Sequence, residues 1–212
     1  MIVRKAFKFR LYPTPDQEVL FRRTIGCCRF VSNLSLDQIL LERHRSSPRR
    51  LTAFDQINDL PSLKVDLPWL REVPSNCLHQ AIIDRHKGLK AFFAGRAGFP
   101  RFVRKGEKES FRFPDSKQFR FTKDAVFLPK AGWVSWVQHR EIVGLSKNLT
   151  VSRDGDHWYA SVQTEAEVAE PAASHGPAIG IDLGIAKPVT LGFIRVEHGL
   201  RGLADNLDTC AS

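Results

Sequence analysis

The sequence predicts an α+β protein in which a small antiparallel β-barrel carries an inserted helical bundle. Three observations predict it. Residues 2–12 alternate apolar and charged side chains, and residues 14–105 place apolar side chains at helical spacing between turn signals. From Phe111 to Glu165 the period returns to two.

In the first segment Val3, Phe7, Phe9 and Leu11 alternate with Arg4, Lys8 and Arg10, so one face of a strand packs and the other is cationic. "TPDQ" then opens a helix. Thr14 is the expected N-cap, Pro15 suits the first turn, and Gln17 completes a capping box. Leu20, Cys27, Val31 and Leu34 continue at helical spacing, with Gly26 expected as a break or a close-packing point. Cys27 and Cys28 fall in that pattern and read as small core residues rather than a redox pair. Residues 46–75, punctuated by "SSPRR", "LPSL" and "DLPWLREVPS", read as a loop and a short helix. Ser75 is the expected cap of a further helix with the stripe Leu78, Ile82, Leu89, Phe92 and Phe93, ended by Gly95, Gly98 and Pro100.

The later strands are "SFRFP", "QFRFT", "AVFLPK", "WVSWVQ", "KNLTVSRDG" and "HWYASVQTE", with Asp154-Gly155 marking a hairpin. Residues 1–13 and 106–165 then form the barrel, which the N-terminal strand closes. Residues 14–105 form the helical lobe, with a helix-turn-helix region at 14–45. Residues 166–177, "AEVAEPAASHGP", are acidic and rich in Ala and Pro and read as a linker. The stretch "AIGIDLGIAKPVTLG" follows from Ala178 to Gly192. Its apolar lead delivers Asp182 at a strand end, followed by Gly184, as a strand presents a carboxylate to a metal or a phosphate. Such a strand also opens actin-like ATPases and sugar kinases, but there hydroxyl residues follow to meet phosphates, and here "IAK" follows. A purely structural aspartate at a strand end is the plainer alternative.

Composition narrows the function. The 212 residues are 42% hydrophobic and 26% charged, and no run approaches the roughly 18 apolar residues of a membrane helix. Charges interrupt the apolar pattern of "MIVRKAFKFRLYP", unlike a signal peptide. Four cysteines without a C-x-x-C pair fit a reducing compartment and argue against a zinc site, so a cytoplasmic protein with no membrane partner is expected. The net charge is +9, and all but three of the 32 Lys/Arg precede Pro171. The densest run, "RHKGLKAFFAGRAGFPRFVRK" from Arg85 to Lys105, holds seven Lys/Arg and no carboxylate. Clustered cations release counterions from a polyanion, and the interleaved Phe92, Phe93, Phe99 and Phe102 add stacking surface for single-stranded nucleic acid. The candidate contacts are Lys87, Lys90, Arg96, Arg101, Phe102, Arg104 and Lys105, joined by Arg4, Lys5, Lys8 and Arg10 of the first strand. A basic, soluble surface without a partner is the alternative.

Taken in order, five runs resemble one family. They are "FRLYPTPDQEVLFRRTIGCCRFVSNLSL", "LPWLREVPSNCLHQAIIDRHKGLKAFFAGRAGFPRFVRKG", "LPKAGWV", "NLTVSRDGDHWYASVQTE" and "IGIDLGIAK". The family is TnpB (OrfB), proteins encoded by insertion sequences and commonly described as transposases. The resemblance implies a wedge-type barrel, a helical recognition lobe, and a RuvC nuclease domain of RNase H-like fold opened by "GIDLG". It implies an RNA-guided DNA endonuclease related to type V CRISPR effectors. Its partners would be a guide-type, transposon-derived RNA and DNA, its cofactor Mg²⁺, and Asp182 the first of three metal-binding acids. After Leu191 the chain does not resemble the family's continuation, and Glu197, Asp205 and Asp208 stand in no matching context. The expectation is a nucleic-acid-binding portion truncated after the first RuvC motif, with 178–212 a remnant of the incomplete RNase H-like domain. Its acid set would be incomplete, no Mg²⁺ would bind tightly, and no cleavage would follow. Two other readings stay open: a nuclease-dead RNA-guided regulator, and a split nuclease completed by a second polypeptide.

Overall fold

The computed structural model describes residues 1–47 and 49–170, and the backbone of 178–182 and 190–194. The chain divides into two units, Met1–Val168 and Ala169–Ser212. The first opens with strand β1 (Ile2–Tyr12), then helices α1 (Pro15–Arg43), α2 (Ala53–Asp66) and α3 (Ser75–Phe93), with a 3-10 turn at Pro68–Arg71 before α3. Six strands follow: β2 (Ser110–Phe113), β3 (Arg120–Phe121), β4 (Ala125–Leu128), β5 (Gly132–Val137), β6 (Leu145–Asp154) and β7 (His157–Glu167).

These seven strands form one antiparallel sheet in the order β2-β6-β7-β1-β5-β4-β3, curled into a half-barrel. The N-terminal strand therefore does not close a barrel; it lies at the centre. β1 is long enough to serve two partners, pairing β7 from Ile2↔Glu167 to Leu11↔Trp158 and β5 from Arg10↔Val137 to Tyr12↔Ser135. β2 and β3 remain as the two edges. Period-two patterning puts Phe7, Phe9 and Leu11 on the buried face with Trp158, Ala160 and Val162 of β7 and Val134 and Trp136 of β5. Each large apolar side chain among them contributes about 1.5–3 kcal/mol on burial. α1 packs on this face through Phe21, whose ring centroid lies 5.2 Å from Trp158 and 5.6 Å from Phe111.

The start of α1 follows its sequence signal. The Thr14 amide donates to Gln17 Oε1 (3.0 Å), and the Gln17 amide donates to Thr14 Oγ1 (3.4 Å). The Gln17 side-chain nitrogen also donates to the carbonyls of Ala131 (3.0 Å) and Trp133 (2.9 Å), tying the helix start to the β4–β5 hairpin. Beyond this the structure corrects several expectations. α1 runs unbroken through Gly26, from Pro15 to Arg43, so Gly26 is no break. A lone helical glycine costs only about 1 kcal/mol, and the buried Ile25, Cys27 and Cys28 around it offset that. Gly26 is not a close-packing point either, since a Cβ there would meet nothing within 4 Å. The region after α1 carries a full 14-residue helix, α2, despite Pro61 within it. Thr52 and Asp55 give α2 its own capping box, and its Leu60 is buried in the core.

Ser75 is the first residue of α3 rather than its cap, and its hydroxyl accepts from Lys64 Nζ (2.8 Å). Phe93 leaves the apolar stripe and is 76% exposed. α3 ends in a Schellman motif, with Arg96 N–H donating to Ala91 O and Gly95 N–H to Phe92 O (both 2.9 Å), and Gly95 at φ +68°. The β6–β7 hairpin turns on Gly155 and Asp156, with Asp154 paired to His157 and Gly155 at φ +57°. β7 runs on to Glu167, so the first two residues of the expected linker are strand. Met1 and Val168 close the unit by exchanging two hydrogen bonds, 2.7 and 3.0 Å.

In the second unit β8 (Ala178–Asp182) pairs antiparallel with β9 (Thr190–Ile194), from Ala178↔Ile194 to Asp182↔Thr190. This ribbon is what the described residues contain of the expected RNase H-like segment; Glu197, Asp205, Asp208 and most of the 166–177 linker lie outside them. No helix among the described residues is long and apolar enough to cross a membrane.

Candidate nucleic-acid interface

Because β1 is central, its outward side chains belong to a face that crosses the whole sheet. Strand parity sends Arg4, Lys8, Arg10 and Tyr12 outward, while Lys5 shares the parity of Phe7 and Phe9 and is exposed near the strand's start. The registers bring distant residues into rows. Lys8 lies opposite Ser161, Ser161 opposite Thr150, and Thr150 opposite Arg112 of the edge strand. Arg10 lies opposite Tyr159 and Val137. On the other flank Trp133 pairs with Phe127, and Phe127 with Arg120.

Cations and rings meet throughout this face. Lys8 Nζ stands 4.1 Å from the Tyr159 ring centroid, and the guanidinium of Arg10 stands 5.2 Å from that of Tyr12. Arg10 Nη2 also lies 3.0 Å from His157 Nδ1. Arg120 is 5.2 Å from the Phe127 ring, which packs 5.6 Å from Trp133. Tyr12 and Trp133 remain half exposed. Such pairs keep the cation charged and exposed while holding the ring in place, so both stay available to a phosphate and a base. Arg4 differs. Its Nε donates to Glu165 Oε1 (2.7 Å), and Glu165 also takes Lys147 Nζ at 2.9 Å. The hydrogen bonds from Lys147 and then Arg4 hold the Glu165 carboxyl below the usual carboxylate range. Arg4 reaches a phosphate only by leaving that carboxylate.

The run Arg85–Lys105 separates into a buried part and an exposed part. Arg85 is buried, and its guanidinium donates to Ser32 O and Ser32 Oγ (3.0–3.2 Å) and to Arg101 O (2.9 Å). Burial pushes its pKa down from the usual arginine value. Asn33 exchanges two hydrogen bonds with Val103, from Nδ2 to Val103 O (3.0 Å) and from Val103 N–H to Oδ1 (2.9 Å). These clamps seat residues 101–103 on α1 and α3. Arg101, Phe102, Arg104 and Lys105 are exposed there, as are Lys87, Lys90 and Arg96 at the end of α3. Phe92 and Phe99 instead pack on one another, ring centroids 5.2 Å apart at 90°, so part of the aromatic interleaving is structural.

Periodicity did carry a sign of this division: Leu78, Ile82, Arg85 and Leu89 fall on one helical face, so the stripe places Arg85 inward. Asn33 had no such sign. Nor did Tyr12, Arg112, Arg120, Phe127, Trp133 and Tyr159, which become one face only through strand register. The expected metal-binding residue, Asp182, ends β8 opposite Thr190. Among the described residues no cluster of three or more His, Cys, Asp or Glu is placed to hold a metal ion.

A half-barrel sheet and three helices, with exposed cations and aromatic rings on both parts, define an α+β protein. The family model described as the helix-turn-helix domain of OrfB of IS605 matches residues 1–45, the span of β1 and α1. A relative from Escherichia coli (strain K12), named RNA-guided DNA endonuclease InsQ, is 37% identical over 189 residues, 88% of this chain and 47% of its own length. Another from Streptomyces pristinaespiralis, named RNA-guided DNA endonuclease, is 32% identical over 199 residues, 89% of this chain and 48% of its own. The chain belongs to the TnpB (OrfB) family, and it spans about half the length of these curated relatives.

Proposed function

We propose that these residues are the nucleic-acid-binding N-terminal portion of a TnpB-type, RNA-guided DNA endonuclease. The half-barrel acts as the wedge domain, α1–α3 as the recognition lobe, and β8 as the first strand of a RuvC-type domain. The observation that carries this reading is the outer sheet face, where Lys8 and Arg10 make no ion pair among the described residues, Lys8 lying over Tyr159 and Arg10 over the half-exposed Tyr12. Phosphates meet the cations, and unpaired bases stack on the rings. The names of the relatives supply the ligands: a guide-type RNA and DNA.

Cleavage is not assigned to the 212 residues by themselves. Two-metal hydrolysis needs ions about 3.5–4 Å apart held by several carboxylates, and Mg²⁺ binds weakly to one. Asp182 is the single acid of this sequence in a matching context. Two measurements test the proposal. Labelled RNA titrated across a salt series should bind with a log–log slope of about −0.7 per single-strand phosphate neutralised, and Lys8→Ala and Arg10→Ala should each flatten it by about that amount. Affinity independent of salt would refute the reading. Incubated with transposon-derived RNA, target DNA and Mg²⁺ or Mn²⁺, the chain and Asp182→Ala should bind alike and cut nothing. Cleavage that vanishes in Asp182→Ala would show that the acid set is complete.

A further inference from the structure

α1 and α3 end side by side at a cleft that the sheet face does not reach. Its volume is about 890 Å³, inside the roughly 300–1,000 Å³ range of ligand sites. Leu51, Leu89 and Phe99 form an apolar floor, and Phe93 stands at its edge. Phe93 packs against Phe92, ring centroids 5.2 Å apart, yet is 76% exposed. The rim is cationic. Arg43, Arg50 and Lys90 line it, and none has an ion-pair partner among the described residues. The fourth rim cation, Arg49, is paired with Asp55, and the lining carboxylate Glu42 is paired with Arg45.

Arg43 and Lys90 stand in the last turns of α1 and α3, where helix carbonyls favour a cation. Arg50 lies outside both helices, so the three together give the cleft a cationic rim that a phosphate can meet. An exposed ring beside them is what a nucleobase requires, because stacking satisfies the base and the cations meet its flanking phosphates. An apolar peptide would leave the rim cations unpaired. We infer that this cleft is a base-stacking subsite for a single-stranded polynucleotide, with Phe93 as the platform and Arg43, Arg50 and Lys90 as phosphate contacts. It rests on the nucleic-acid-binding reading above and adds a second, separate contact to it. The backbone is bound through phosphates and the base through its ring face, so RNA and DNA strands share the required chemistry.

The test is fluorescence anisotropy with labelled oligouridylate, oligothymidylate and an abasic oligomer of equal length. Phe93→Ala should weaken both base-bearing oligomers about 5- to 150-fold, the range for one lost aromatic–base stack. It should leave abasic binding and the salt slope unchanged, and Phe93→Tyr should bind like the parent. Lys90→Ala should instead flatten the salt slope by about 0.7 on all three oligomers. If the parent binds but Phe93→Ala binds equally well, or loses abasic affinity in parallel, the subsite is refuted and the general reading survives. If the parent binds none of the oligomers, both fall.

Discussion

Arg85 is a buried cation whose hydrogen bonds run to neutral oxygens, those of Ser32 and the carbonyl of Arg101. It holds the basic segment in place and is not itself presented to a ligand. Removing it leaves buried acceptors unpaired, at about 1–3 kcal/mol. Arg85→Ala should lower the unfolding free energy by that amount and speed amide exchange at residues 101–103, while Arg101→Ala should leave both nearly unchanged. Equal effects of the two substitutions would contradict this division. The buried thiols carry a pH signature. Burial pushes Cys27 up to about 11 and Cys28 to about 12 from a usual 9.0, and raises Cys77 as well. The folded chain keeps protons that the unfolded chain releases, so their contribution to stability is whole below pH 9. It declines as pH rises from 9 toward 12, by up to about 1.4 kcal/mol per pH unit for each thiol. Urea unfolding at pH 8 and pH 10 measures this, and a Cys28→Ala chain should show a shallower decline.

At the scale of elements, Gln17 joins a helix to a hairpin. Its oxygen completes the cap of α1, while its nitrogen holds the carbonyls of Ala131 and Trp133 beside β5. Gln17→Glu keeps the cap acceptor but removes both donors and sets a carboxylate against two carbonyls. It should destabilise by about 1–3 kcal/mol, against about 1 kcal/mol for Thr14→Ala, which loses the cap alone. Thermal unfolding of the two variants decides the order; a Gln17→Glu chain as stable as the parent would mean that the hairpin is held by other contacts. The cap was legible in "TPDQ" because it is made within four residues. The hairpin contact was not, because it spans more than a hundred.

At the scale of the molecule, Met1–Val168 is one unit, and its ends are bonded to each other through Met1 and Val168. The described core residues all lie within it. A chain ending at Val168 should unfold cooperatively at the same midpoint as the 212 residues and bind single-stranded RNA with the same salt slope. A lower midpoint would show that residues beyond Val168 contribute to that core. The unit's sheet explains why one part of the expected architecture came out differently. Strand number and alternation were readable, but which strand is central depends on which pairs form, and an eleven-residue β1 can pair on both sides at once.

The sequence by itself determined the α+β class, the cap of α1, the positions of the strands, the exposed cations and the family, since each depends on local spacing or on residues in order. Only the tertiary structure decided that α1 passes Gly26 unbroken, that Arg85 is a clamp, and that Tyr12, Tyr159 and Trp133 share one face with Lys8 and Arg10. Burial and strand register are properties of neighbours distant in the chain. A period of two states which side chains share a face of their own strand, and leaves open which residues of other strands lie beside them.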